Sequence, residues 1–425
     1  MTTPKRNPLP IPQPIGINGQ RLWDSLMSLA RIGATAKGGV KRLTLTEFDR
    51  QARDLVVAWL TEAGCEISID DIGNVYALRK AMARHPDADA VAVGSHVDTQ
   101  PSGGRFDGAY GVLAGVEVIR ALNDAGVRTD KPVAVVIWTN EEGSRFTPVM
   151  MGSGVYANAF DAAFCLAQKD REGTSVSEAL HGIGYLGEAP RPRFSAYFEP
   201  HIEQGPVLER EACTIGAVEG ALGQRWFDVV VTGQDAHAGP TPIEMRRDAL
   251  LAAAQLVVEV RRIARSAPHY ARGTVGQMHV YPNSRNVIPG RVEFSVDFRN
   301  ADDETLNAMV TELHDCARRI GQTDALDIDI KQVVYFPPCA FDPSLVANIE
   351  AFAQQRGLRT RRLASGAGHD AVYLARTCPS AMIFVPCEGG ISHNEIENAQ
   401  PFDLEAGCNV LLDCVLAQAG GSSAT

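Results

Sequence analysis

The chain has 425 residues, is 45% hydrophobic and 21% charged, and carries a formal net charge of -11. That acidic balance, without clustered Lys and Arg, excludes a duplex-binding surface, and no stretch approaches the roughly 20 apolar residues of a membrane span. Nine scattered cysteines with no CxxC pair argue against a disulfide framework or a thiolate zinc site and suit a reducing cytoplasm.

The proline-rich residues 1–16 lack the apolar core of a secretory signal and predict an extended arm. A length past the limit of one growing core predicts two domains. From Thr46 a helix is expected, with a hydroxyl at the cap, Phe48, Ala52, Leu55, Val56, Trp59 and Leu60 at helical spacing, and Gly64 beyond its end. A strand at 66–69, a turn at Asp71-Ile72-Gly73-Asn74 and a strand at 75–78 follow. The continuous apolar runs 91–94 and 133–138 predict strands buried on both faces. Between them Val112, Leu113, Val116, Ile119 and Leu122 mark a helix, giving a βαβ unit of a mostly parallel sheet.

From residue 220 to 334 the pattern changes to strand 226–231, helix 248–264, strands 274–281 and 291–299, helix 304–320 and strand 326–334. This β-α-β-β-α-β order predicts a ferredoxin-like domain inserted into an α/β domain made of residues 1–219 and 335–425. The α/β domain is completed by a strand at 381–385 and a helix at 403–416, and the small-residue tail 420–425 is expected to be unstructured.

The chemistry-bearing residues fall where buried strands should end. In Gly94-Ser95-His96-Val97-Asp98-Thr99, strand alternation would point His96 and Asp98 the same way, so that the carboxylate could fix the imidazole of a metal-ligating His96. Taken alone, the pair is equally compatible with a surface turn. Asp107 lies in a glycine-rich turn, where a carboxylate can bridge two ions. The adjacent Glu141 and Glu142 follow the apolar run ending at Trp138 and would repel each other without a nearby cation. One of the two could ligate a metal while the other serves as general base. His201 and His393, each taken singly, would more often be structural.

Together GSHVDTQPSGGRFDGAYGVLAG, TNEEGSRF, EPHIEQGPVLE, DAHAGPTP, NSRNVIPG, SGAGHDA and GGISHNEIE resemble the zinc-dependent hydantoinase/carbamoylase amidases, within the clan of two-zinc exopeptidases. The resemblance spans residues 20–416 with the motifs in the same order. It implies a zinc-exopeptidase-like catalytic domain with an inserted dimerisation and lid domain. It also implies one metal on His96, Asp107 and His201, a second on Asp107, Glu142 and His393, and Glu141 as general base. Zn²⁺ is the expected ion, with Mn²⁺, Co²⁺ or Ni²⁺ compatible with the same ligands.

By the same resemblance His237 would stabilise the oxyanion from the partner subunit of a homodimer. Arg299 and Asn286 would clamp the substrate carboxylate, and Gln204 would contact its ureido end. Ser365 and Gly366 would form a backbone nest, with His369 and Asp370 structural. The expected reaction is hydrolysis of the ureido C–N bond of N-carbamoyl-L-amino acids to the amino acid, carbon dioxide and ammonia, with allantoate or N-carbamoyl-β-alanine as alternatives. A peptidase or aminoacylase, a phosphoesterase and a non-catalytic binding homologue are the rivals. For Arg299, a surface ion pair with Asp297 is the plain alternative.

Overall fold

The computed structural model describes residues 15–81, 87–268 and 270–423, so the expected arm lies largely outside them. The chain divides into two compact units. One comprises Met1–Ala217, Pro343–Arg361 and His369–Thr425, and the other Val218–Asp342 and Arg362–Gly368.

In the first unit the apolar runs become a parallel core. Ala90–His96 pairs in parallel with Val133–Trp138 on one side and with Phe194–Ile202 on the other, and Ser380–Val385 extends the parallel set beside Phe194–Ile202. Val75–Arg79 and Glu66–Ile69 add antiparallel strands beyond Val133–Trp138. Every residue of Ala90–His96 and of Val133–Trp138 is buried, as unbroken apolar patterns require when helices cover a sheet. The helix Ala109–Asp124 approaches closely because Gly111 lacks a side chain. A Cβ there would sit 2.6 Å from the Pro200 carbonyl oxygen and 2.7 Å from Ser95 Cβ.

In the second unit Gly223–Thr232 lies between Arg291–Asn300 and Asp327–Phe336, antiparallel to both. Strict alternation puts Val292, Phe294, Val296 and Phe298 on the buried face, where they pack with Phe227, Val229 and Val231 beneath two helices. The first helix, Ala249–Ser266, is capped by Asp248, and the second, Asp303–Asp324, by Asp302.

Three expectations change. The single strand at 274–281 is two short ones, Arg272–Thr274 and Met278–Tyr281, both paired with Arg291–Asn300; the break falls around Gly276, which has no side chain to pack. Thr46 precedes the helix Glu47–Glu62 as expected, but its hydroxyl donates to the Leu43 carbonyl instead of capping the helix. The tail is not unstructured throughout. Gly421–Ser423 pairs antiparallel with Val127–Thr129, satisfying backbone groups on an otherwise short strand. Among the described residues no helix is long and apolar enough to cross a membrane.

Candidate metal centre

Loops leaving the ends of the parallel strands bring the acidic and imidazole groups together, as open α/β sheets tend to do. His96 closes the strand Ala90–His96, His201 sits near the end of Phe194–Ile202, and Glu141 and Glu142 follow Val133–Trp138. Asp107 comes from the turn before the helix Ala109–Asp124, and His393 from the loop after Ser380–Val385. Two groups of three donors result, His96, Asp107 and His201 in one and Asp107, Glu142 and His393 in the other. Asp107 belongs to both. Its Oδ1 lies 3.2 Å from His201 Nε2 and 3.8 Å from His96 Nε2, and its Oδ2 lies 3.3 Å from His393 Nε2.

The ring orientations are set from behind. His96 Nδ1 donates to the Asp98 carbonyl at 2.8 Å and His201 Nδ1 to the Ile202 carbonyl at 2.9 Å, which turns each Nε2 toward Asp107. Here the structure corrects the role expected of Asp98. The strand stops at His96, so alternation no longer applies at Asp98, and its carboxylate stands 3.8 Å from Nδ1. It instead accepts the backbone N–H groups of Glu141 and Glu142, at 3.4 and 3.3 Å, and so anchors the di-glutamate turn.

The electrostatics favour a cation. Burial first, then the charges of Asp370, Glu142, Asp107 and Asp98, hold the Glu141 carboxyl well above the usual range. Burial and Asp107 likewise push Glu142 up to about 8. For Asp107 burial alone would do the same, but hydrogen bonds with His201 and His393 outweigh it and hold its carboxyl well below the usual range. Those contacts also raise both imidazoles to about 9, against desolvation at His201, whereas burial lowers His96 to about 4. A donor set of nitrogen and oxygen atoms with so much buried negative charge fits a pair of divalent ions, which would displace protons on binding.

Among the described residues, three of the ten non-glycine residues with positive φ lie at this centre. Asn140, Gln204 and His393 are non-glycine residues with φ of 56, 56 and 53°, a region that costs about 1–2 kcal/mol per residue. Asn140 directly precedes Glu141, Gln204 donates to Asp107, and His393 is itself a donor.

Residues 92–417 match Peptidase family M20/M25/M40. The chain belongs to that family. It is 44% identical to the N-carbamoyl-L-amino-acid amidohydrolase of Rhizobium meliloti, over 95% of this chain and 97% of that one. It is 34% identical to the allantoate amidohydrolase of Bacillus subtilis, over 92% and 96%. Its structure matches that of a hydantoinase/carbamoylase family amidase from Burkholderia multivorans with a TM-score of 0.93 at 52% identity, over 95% and 98%. Within the M20 group the chain is thus a hydantoinase/carbamoylase-type amidase, a hydrolase of carbon–nitrogen bonds.

The remaining residues expected for such an amidase are placed as follows. Gln204 lies in the first unit, with Nε2 donating to Asp107 Oδ2 at 2.9 Å and to Ser392 Oγ at 3.1 Å, while its buried Oε1 has no hydrogen-bond partner among the described residues. His369 is buried with its ring 4.6 Å from that of His201, and Asp370 accepts from the Ser153 hydroxyl, so both pack behind the centre.

The other residues belong to the second unit. His237 is exposed, in a two-residue strand facing Val287, and Asn286 accepts the Ala238 N–H through its backbone carbonyl. Arg299 makes the ion pair with Asp297, at 2.9 Å, and donates to the Gly366 carbonyl at 2.8 Å. Ser365 Oγ is bonded to both the N–H and the carbonyl of Ala367, so its hydroxyl closes a local turn.

Two supporting residues escaped the sequence reading. Gln100 grips Glu142 through its backbone N–H, at 3.1 Å, and its side-chain amide, at 2.7 Å. Glu397 accepts from Phe106, Asp107 and Ser392. Both lie inside motifs that contain ligands, but their partners are distant in sequence, so no local spacing marks them.

Proposed function

We propose that this chain hydrolyses the ureido C–N bond of N-carbamoyl-L-amino acids, releasing the amino acid, carbon dioxide and ammonia. The observation that carries the proposal is the pair of donor groups sharing Asp107, with Glu141 beside them and belonging to neither. His96, Asp107 and His201 would hold one divalent ion, and Asp107, Glu142 and His393 the other, with Zn²⁺ the natural occupant of mixed imidazole and carboxylate ligands. Ions held there would polarise the ureido carbonyl and make a nearby water more acidic.

The protein's own groups do the rest. Glu141 takes the proton of the attacking water and returns it to the leaving nitrogen. Gln204 has an unused buried acceptor in Oε1, matched to a ureido N–H. His237 donates to the developing oxyanion, a contribution of about 3 kcal/mol for a well-aimed donor. Arg299 and Asn286 take the substrate carboxylate, which must compete with Asp297 for the guanidinium. Ser365 and Gly366 form a backbone nest at that end, where the Gly366 carbonyl also accepts from Arg299.

In this reading the inserted domain, 220–334 by sequence, is a ferredoxin-like dimerisation and lid domain, and the rest, 1–219 and 335–425, is catalytic. His237 would serve the partner subunit's centre in a homodimer. The nine cysteines, none in a disulfide, suit a cytoplasmic enzyme.

A second reading, allantoate hydrolysis, is favoured by the Bacillus subtilis relative. A side-by-side turnover panel of N-carbamoyl-L-amino acids, allantoate, N-carbamoyl-β-alanine and N-acetyl amino acids decides between them. The highest kcat/KM is expected for an N-carbamoyl-L-amino acid. A preference for allantoate would move the assignment to the second reading, and a preference for N-acetyl substrates would reject ureido chemistry.

A further inference from the structure

Glu397 lies four residues after His393 and is 1% exposed. Its Oε1 accepts the backbone N–H groups of Phe106, at 2.9 Å, and Asp107, at 3.1 Å. Its Oε2 accepts from Ser392 Oγ at 2.8 Å, and that same hydroxyl oxygen stands 3.2 Å from Asp107 Oδ2. One buried carboxylate therefore ties the turn that presents Asp107 to the loop that presents His393, across 290 residues of sequence. The chain makes room for it at Gly104, where a Cβ would fall 2.1 Å from the Glu397 carboxyl. Gln100 offers a contrast, since it grips Glu142, a member of only one donor group, and is itself fixed by Ser144 Oγ at 2.7 Å.

We propose that Glu397 is the positioning residue for the shared ligand Asp107, and therefore for both ions, whereas Gln100 positions the ligand of one ion only; this rests on the two-ion reading above. Without the Glu397 acceptor, two N–H groups of the Asp107 turn lose their partner. The turn can then rotate the carboxylate away from the imidazoles converging on it. Outer partners of metal ligands typically contribute 10- to 100-fold to metal affinity. Here that loss should fall on both sites, because Asp107 serves both.

The test is calorimetric titration of metal-free protein with Zn²⁺, with bound metal counted by atomic absorption and thermal melts of the metal-free proteins run in parallel. Glu397→Leu should weaken both binding events by about 10- to 100-fold. Glu397→Gln keeps an oxygen for the two N–H groups and can donate its amide to Ser392, so it should bind both ions within several-fold of the wild type. Gln100→Leu should weaken one event and spare the other. Should Glu397→Leu not fold, Ser392→Ala removes the link from Glu397 to the Asp107 carboxylate and should weaken both events, to a smaller extent.

A folded Glu397→Leu protein that binds two ions as tightly as wild type, or loses only one, overturns the proposal. So does a Glu397→Gln protein as impaired as the leucine variant, because charge rather than positioning would then be at stake. An unaltered titration of Ser392→Ala does the same. A wild-type protein that fails to take up two ions overturns the two-ion reading itself, a result visible before any variant is compared.

Discussion

Replacing Glu141 by Gln is expected to leave both metal ions bound while lowering kcat by about 10²- to 10⁴-fold, the usual contribution of a positioned general base. Glu141 is 8% exposed and belongs to neither donor group, yet its Oε2 lies 3.5 Å from His96 Nε2, at the edge of the first. Burial and four neighbouring carboxylates raise its proton affinity. Bound cations would offset part of that repulsion and bring the group toward the range in which it can both accept and return a proton. Glutamine preserves the shape and the backbone contacts to Asp98 but cannot carry the proton. Steady-state kinetics with metal content measured on the same preparation check this, and turnover near the wild-type rate would remove Glu141 from the mechanism.

Asp107→Asn is the second large effect. The residue is 4% exposed, three imidazoles converge on it, and it is the one donor common to both groups. Asparagine fits the same space without the negative charge that pairs with His201 and His393. Both ions should therefore bind at least about a hundredfold more weakly, beyond the loss expected for an outer partner, and turnover should fall to background at stoichiometric metal. His393→Ala, which touches one group, should leave one tight ion. If Asp107→Asn bound one ion normally, the shared-ligand geometry would be wrong.

Much of this architecture could be read from patterning. The runs at 91–94 and 133–138 announced buried parallel strands, and the alternation of Val292, Phe294, Val296 and Phe298 announced a sheet with one covered face. The strand Phe194–Ile202 was not legible as such, because it carries Glu199, Pro200 and His201 in the middle of the sheet. Proline and buried charge ordinarily argue against a central strand. Glu199 is tolerated there because Ser95 Oγ and the Ala371 N–H both bond to it, partners that lie 104 and 172 residues away. Asp98 shows the opposite failure. Its motif was visible, but its carboxylate turned to the Glu141 and Glu142 backbone once the strand had ended. Glu397 and Gln100 gave no local signal, since their roles exist only through contacts closed by the fold.

The most direct test of the account is to strip the protein of metal with a chelator, add Zn²⁺ back in steps, and follow release of free amino acid from an N-carbamoyl-L-amino acid. Turnover should be negligible in metal-free protein and full only as the second equivalent binds. Full activity without metal, or saturation at one equivalent, would contradict the account.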